Sequence, residues 1–207
     1  LLDIAVTLAE GAQGLESEAF SSIEADTVVR LVDEPASTRL KAFDAILVGP
    51  HAGRALAWLR EHQVLEVVLP EVAALVGFHK DFPAHHKDLW AHTLEVLMRT
   101  PADADLRWVA LLHDIGKVAT RRLTVDSQVT FTRHEQLGVH LFEGIAARFE
   151  FPAARAARIA FIMAHHGRVN AYESGWTDRA IRRLSRDLSP HLDDILAFAG
   201  ADFTTKR

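Results

Sequence analysis

Almost every segment of this 207-residue chain repeats its apolar residues at the 3.6-residue period of an α-helix, and in several of those stripes a histidine stands where the next apolar residue belongs. The sharpest case is 108-WVALLHDIGKVATRR-122. There Leu106, Val109, Ala110 and His113 fall at i, i+3, i+4 and i+7, and Lys117 follows one turn later on the same face. A histidine and an aspartate placed side by side at the end of a core-facing stripe are expensive to bury without a partner. That pairing constrains both the fold and the chemistry.

The periodicity predicts helices over 1–10, 16–33, 38–48, 53–68, 88–99, 104–119, 134–149, 152–166, 177–187 and 190–202, with a short one after Pro70. One stretch, 121-RRLTVDSQVTFTRH-134, reads instead as a small hairpin, with Leu123, Val125, Val129 and Phe131 flanking an Asp126-Ser127 turn. The fold class is all-α: a helical bundle preceded by a smaller set of helices, with that one β-hairpin. The Gly/Pro-rich stretch through 77-GFHKDFPAHH-86 divides the chain into a helical subdomain over 1–80 and a larger domain over 81–207. No repeat or low-complexity tract interrupts the pattern.

Four helices carry an inward-facing histidine. His92 sits between Leu89 and Val96, His113 ends its stripe, and His134 opens one that continues through Leu137, Gly138, Leu141, Phe142 and Ile145. His165 follows Phe161 by four residues and Ile162 by three; His166 points about 100° away around the helix and ranks second. A fifth helix places Asp202 in line with Leu192, Ile195 and Ala199. One core histidine is ordinarily just an imidazole bonded to a backbone carbonyl. Five elements converging with titratable groups imply a shared partner, and imidazole with carboxylate and no thiolate describes a divalent transition-metal site. Four histidines and two aspartates exceed the needs of one ion with open positions and suit two ions bridged by a carboxylate.

The remaining histidines read more simply. His51, His62, His79, His140 and His191 are expected to be exposed or locally bonded, and His85 and His86 precede the His92 helix, close enough to reach the mouth of a site. Tyr172 and Trp176 read as packing residues.

Composition narrows the class further. The chain has no cysteine, which removes disulfides and thiol nucleophiles and fits a reducing, cytoplasmic compartment. A net charge of −5 gives no general pull toward nucleic acid or acidic membrane, and no apolar run approaches the ~20 residues of a membrane span. The start at Leu1, without a methionine or the basic opening of a signal peptide, suggests that residues upstream are missing. Nothing in the pattern selects an oligomeric state.

The order His92, then His113-Asp114, then a distal aspartate resembles the HD-domain metal-dependent phosphohydrolase superfamily, and the added His134 and His165 resemble its two-metal branch. More narrowly, 88-DLWAHTLEVL-97, 107-RWVALLHDIGKVATRR-122, 134-HEQLGVHLF-142, 177-TDRAIRRL-184 and 201-ADFTTKR-207 are similar to the carboxy-terminal HD region of bacterial tRNA nucleotidyltransferases, the CCA-adding and poly(A) polymerase-like enzymes. The stretch 37–71 resembles the neck helices that precede that region.

The resemblance implies a first metal held by His92, His113, Asp114 and Asp202. Asp114 would bridge to a second metal held by His134 and His165. The ions, drawn from manganese, iron, cobalt, nickel or zinc, would lower the pKa of water for attack on phosphorus. Asp114 and Lys117 are then the catalytic residues, and Lys117, Arg121, Arg122, His86 and His166 the candidates for holding substrate. The expected activity is that of a phosphomonoesterase or phosphodiesterase on nucleotides, cyclic nucleotides or RNA ends.

The polymerising head of those enzymes carries a Gly-Gly or Gly-Ser turn followed by an Asp-x-Asp pair. Here the Asp-x-Asp is Asp103-Ala104-Asp105, in a connector opened by Pro101 with no glycine pair before it. Either a head domain lies outside this sequence or the chain is a stand-alone relative.

Two further readings stay open. In one, the chain is a tRNA-binding tail using Arg179, Arg182, Arg183, Arg186, Lys206 and Arg207, although the acidic balance and the lack of visible aromatic–basic interleaving speak against it. In the other, a single metal is bound and His134 and His165 hold phosphate.

Overall fold

In the computed structural model the described residues are 1–12, 25–78, 88–126, 129–170 and 176–204. The helices, in chain order, are α1 (Leu2–Ala9), α2 (Ala25–Val29), α3 (Ala36–Val48), α4 (Ala52–Glu61), α5 (Val64–Val68), α6 (Pro70–Ala73), α7 (Leu89–Arg99), α8 (Ala104–Leu112), α9 (Lys117–Thr120), α10 (His134–Arg148), α11 (Ala153–Asn170), α12 (Asp178–Leu188) and α13 (Leu192–Thr204), with a 3₁₀ turn at Arg30–Val32. The strands β1 (Arg122–Leu123) and β2 (Val129–Thr130) pair antiparallel, Arg122 opposite Thr130 and Leu123 opposite Val129. The protein is all-α apart from this short ribbon. No helix of the described residues is long and apolar enough to cross a membrane.

The organising element is α8. Every residue from Asp105 to Leu112 is buried, so the helix has no solvent face, and α3, α7, α11 and α13 pack around it. Trp108 is its anchor: its ring lies 5.7 Å from Phe43, 5.6 Å from Phe149 and 5.2 Å from Phe151, and its indole N–H donates to Asp44 at 2.8 Å. A fully buried aromatic of this size, with its polar atom satisfied, fixes helix position more firmly than aliphatic contacts alone.

The polar residues of α8 are all paired. Asp103 caps it by accepting from the Leu106 N–H at 2.9 Å. Asp105 accepts from Arg155 Nε at 2.7 Å and from Arg158 Nη1 at 3.0 Å. Arg107 donates to the carbonyls of Thr100 and Leu47. The Asp-x-Asp pair noted in the sequence is therefore a helix start, one residue capping and the other held by two arginines.

The hydrophobic core is continuous from Leu2 to Ala201, and the helices before residue 78 contribute to it directly. Arg39 of α3 ties the 3₁₀ turn to the end of α10 by donating to Val32 O and Arg148 O.

Two expected helices are broken. The 53–68 helix divides at His62-Gln63, where Gln63 takes a left-handed φ of 58°. The 104–119 helix stops at Leu112: after His113, Ile115 N bonds Leu112 O and Lys117 N bonds Asp114 O, so the ladder tightens to a three-residue spacing before α9 begins. The helix over 152–166 runs four residues further, to Asn170. Of the expected helix over 16–33, the structure describes α2 and the turn after it, and the rest lies outside the described residues.

Candidate metal centre

The break after α8 turns both members of the His113-Asp114 pair inward, where they are each 1% exposed. Gly116 makes the turn possible. A methyl added there would lie 2.1 Å from the His134 carbonyl oxygen and 2.7 Å from the Gly138 nitrogen, so the backbone passes against the first turn of α10 with no room for a side chain.

Four other helices bring their groups to the same place. His92 of α7 and Asp202 of α13 are buried, with His92 Nε2 3.4 Å from Asp202 Oδ1, 3.5 Å from Asp114 Oδ2 and 3.3 Å from His113 Nε2. His113 Nε2 lies 3.3 Å from Asp114 Oδ2. On the other side, His134 Nε2 of α10 is 3.8 Å from Asp114 Oδ1, and His166 of α11 faces both His113 and His134 with ring centroids 5.4 Å apart.

Two groups result. His92, His113 and Asp202 offer ligand atoms within 4.8 Å of one another, and so do Asp114, His134 and His166. Asp114 stands between them, Oδ2 toward the first and Oδ1 toward the second.

Three observations test whether these residues fit a metal. First, the imidazoles are aimed: His113 Nδ1 bonds Ala110 O at 3.0 Å, His134 Nδ1 bonds Phe131 O at 2.9 Å and His166 Nδ1 bonds Met163 O at 2.7 Å. With Nδ1 donating to a carbonyl, Nε2 carries the lone pair and points into the centre, as in metal-ligating histidines. Second, Asp114 Oδ1 is buried with no hydrogen-bond partner, which is costly for a carboxylate oxygen unless a cation answers it. Third, two donors on one tetrahedral ion, each about 2.1 Å from it, stand roughly 3.4 Å apart. The His92, His113, Asp114 and Asp202 separations of 3.3–3.5 Å match that spacing.

The electrostatics agree. Burial by itself raises the Asp114 pKa, but the neighbouring His113 and Lys117 outweigh it and hold the carboxyl well below the usual carboxylate range. Burial, reinforced by the nearby His113, pushes His166 down to about 4, so its ring is neutral at pH 7. Lys117 Nζ lies 2.7 Å from Asp114 Oδ2 and keeps 21% exposure, which places an ammonium group at the mouth.

The structure therefore brings together His92, His113, Asp114, His134, Asp202 and Lys117 from the sequence-derived set. His165 is not among them. Its ring is half-buried, stacks on Phe161 at 4.3 Å and bonds Phe161 O, while His166, ranked second from sequence, takes the inward place. The reason is the true core stripe of α11, Ile159, Ile162, Met163 and His166, all nearly inaccessible; Phe161 is only half-buried and marks the rim. The Ile159–His166 spacing was the signal that could have found it.

Arg121 lies over the Phe78 ring at 4.6 Å and donates to Phe78 O, and Arg122 is exposed on β1. His86 lies outside the described residues, as do His79, His85 and Tyr172. Of the locally bonded histidines, His62 Nδ1 donates to Trp58 O, and His140 pairs with Glu143 on the surface.

The HD domain family model matches residues 87–199. The chain is 32% identical to the CC-adding tRNA nucleotidyltransferase of Thermus thermophilus over 175 residues, covering 81% of this chain and 39% of that protein. It is 30% identical to the A-adding tRNA nucleotidyltransferase of Deinococcus radiodurans over 192 residues, 89% of this chain and 43% of that protein. A multifunctional CCA protein of Pseudomonas fluorescens is 36% identical over 99 residues, 45% of this chain and 23% of its own length. The chain thus spans about two fifths of the length of the first two. With the family match running from residue 87 into α13, across more than half of the sequence and through the His113-Asp114 pair, the chain belongs to the HD domain family.

Proposed function

We infer that this protein is a metal-dependent phosphohydrolase acting on nucleotides, cyclic nucleotides or RNA ends, with residues 81–207 carrying the chemistry, residues 1–80 buttressing them, and a cytoplasmic setting. The observation that carries the reading is Asp114, a buried carboxylate with one oxygen turned to each of two ligand groups and one of those oxygens without a hydrogen-bond partner. His92, His113, Asp114 and Asp202 would hold one divalent ion, and Asp114, His134 and His166 a second; manganese, iron, cobalt, nickel and zinc all suit nitrogen and oxygen donors. When bound, such ions lower the pKa of water and polarise a phosphoryl group.

The chain's own residues do the rest. The carbonyls of Ala110, Phe131 and Met163 keep the imidazoles in one tautomer. Lys117, set by its ion pair with Asp114, offers its ammonium group to the phosphoryl oxygens at the mouth. The apolar wall formed by Phe198, whose ring lies 5.3 Å from His113, keeps bulk water from the inner ligands.

The test is turnover on a panel of phosphoesters with manganese or nickel supplied, beside Asp114→Ala. Wild-type turnover, with metal retention and hydrolysis both lost in the variant, is expected. Undiminished hydrolysis by a metal-poor Asp114→Ala protein would sink the scheme.

A second reading has its own observation. Arg179, Arg182, Arg183 and Arg186 are all exposed on α12 and line one concavity of about 570 Å³. A phosphate backbone lying along that row would make the chain a tRNA-binding element, as its relatives' names suggest. Salt-sensitive tRNA binding that disappears when these arginines are replaced by glutamine, with no hydrolysis, would favour it.

A further inference from the structure

Hydrolysis of a phosphoester needs a grip on the part of the substrate that does not react, and the rim of the centre holds a surface suited to one class. Phe131, just after β2, has two separate roles open to it. Its carbonyl accepts the Nδ1 hydrogen of His134, while its ring lies 5.5 Å from Lys117 Nζ, the nitrogen that is 2.7 Å from Asp114. That ring is half-buried, and among the described residues it stands outside the hydrophobic core.

Behind it sits Phe78, which does pack on the core, with the two ring centroids 6.2 Å apart and their planes at 42°. Arg121 covers Phe78 in turn, its guanidinium 4.6 Å from the ring centroid. Lys117, Phe131, Phe78 and Arg121 are thus linked by successive contacts, cation, ring, ring, cation, beginning at the Asp114 carboxylate. Three separate segments supply them: the turn after α6, the α9 region and the strand end. The aromatic–basic interleaving absent from the linear sequence is assembled by the fold.

Flat π-surfaces flanked by cations next to a phosphate-binding point suit a nucleobase, which stacks on an aromatic face while the cations meet its phosphate. We propose that Phe131 is the nucleobase platform of this centre, so that its substrate is a base-bearing phosphoester, either a mononucleotide or the terminal nucleotide of an RNA strand. Phe78, clasped by Arg121, holds the platform ring from behind. Lys117 touches both ends of the arrangement, Asp114 and the Phe131 ring, just as a single sugar joins phosphate to base. The proposal rests on the phosphohydrolase reading for the phosphate end only.

The experiment compares hydrolysis of adenosine monophosphate, a short oligoribonucleotide ending in a phosphate, and glycerol phosphate, which has no base, by wild type, Phe131→Ala and Phe131→Trp. Loss of one base–aromatic stack raises KM about tenfold. That rise is expected in Phe131→Ala for the base-bearing substrates, with kcat little changed, glycerol phosphate unaffected and Phe131→Trp close to wild type. Since the His134 tether uses the backbone carbonyl, neither variant removes it. A rise confined to the oligonucleotide would assign the platform to RNA ends, and a rise on both to single nucleotides in general.

Equal loss on all three substrates, or loss on none, overturns the platform and leaves the hydrolase reading standing. Should wild type hydrolyse none of them, the hydrolase reading fails by itself, and saturation-transfer NMR decides the platform: adenine protons of adenosine monophosphate must receive saturation from wild type and lose it with Phe131→Ala. No transfer to the base overturns the platform as well.

Discussion

Asp114 gathers the candidate ligand groups around one side chain. It is nearly inaccessible, surrounded by three imidazoles and an ammonium group, and still leaves Oδ1 without a donor. The neighbouring histidines of α11 give the sharpest residue-level prediction. Metal content per chain, measured by mass spectrometry on protein purified without chelator, should fall from about two ions to one in His166→Ala and stay near wild type in His165→Ala. The reverse outcome would return His165 to the second site. The sequence could place His92 and Asp202 because their stripes run through buried aliphatic neighbours, Leu89 and Val96 for one and Ile195 and Ala199 for the other. It ranked His165 ahead of His166 because Phe161 looks like a core residue, whereas that half-buried ring also stacks with His165 and His191 at the rim.

At the scale of elements, what matters is where helices stop. Helix α8 ends without proline, and its nearest glycine, Gly116, acts by letting the turn press against α10 rather than by a left-handed backbone. Gly116→Ala should therefore destabilise the protein by about 3 kcal/mol, read from chemical denaturation, because the atoms in the way are all backbone and cannot swing aside. The same variant should weaken metal retention by displacing His134. Such breaks were hidden from periodicity: the apolar register continues through His113 and Lys117 as if the helix did, and Gln63 adopts its left-handed turn with no local sequence warning. The ribbon was legible as alternation around a turn, yet only the fold shows that Phe131 at its end meets Phe78.

For the whole molecule, the binding between layers is partly ionic. Arg155 and Arg158 of α11 reach Asp44 on α3, Asp105 on α8 and Asp194 on α13, joining four helices through one connected set of charges. The hydrogen bond from Arg158 holds the Asp194 carboxyl below its usual value, so the folded chain keeps it ionised to lower pH than the unfolded chain does. That contribution is complete above the ordinary carboxylate range and is lost as pH falls through the folded-state value. Asp194→Asn should lower stability at neutral pH by about 1–2 kcal/mol, near 4 °C in Tm, and thermal melts of the two proteins should converge as pH falls below the ordinary carboxylate range. A constant offset at every pH would assign the loss to packing. None of these long-range pairs could be read from the sequence, since an arginine on an amphipathic helix looks the same whether it meets water or three aspartates.

The backbone tethers of the imidazoles have a consequence for how such a centre comes into being. His113, His134 and His166 are each aimed by a carbonyl only three residues earlier in the chain, whereas the helices that carry them are far apart in sequence. Orientation is thus a local property and position a global one. During synthesis each ring can acquire its heading as its own turn of backbone forms, before its partners exist, and Asp202 on α13 is the last of these groups in chain order. What brings such rings to one place is the packing of the helices that carry them.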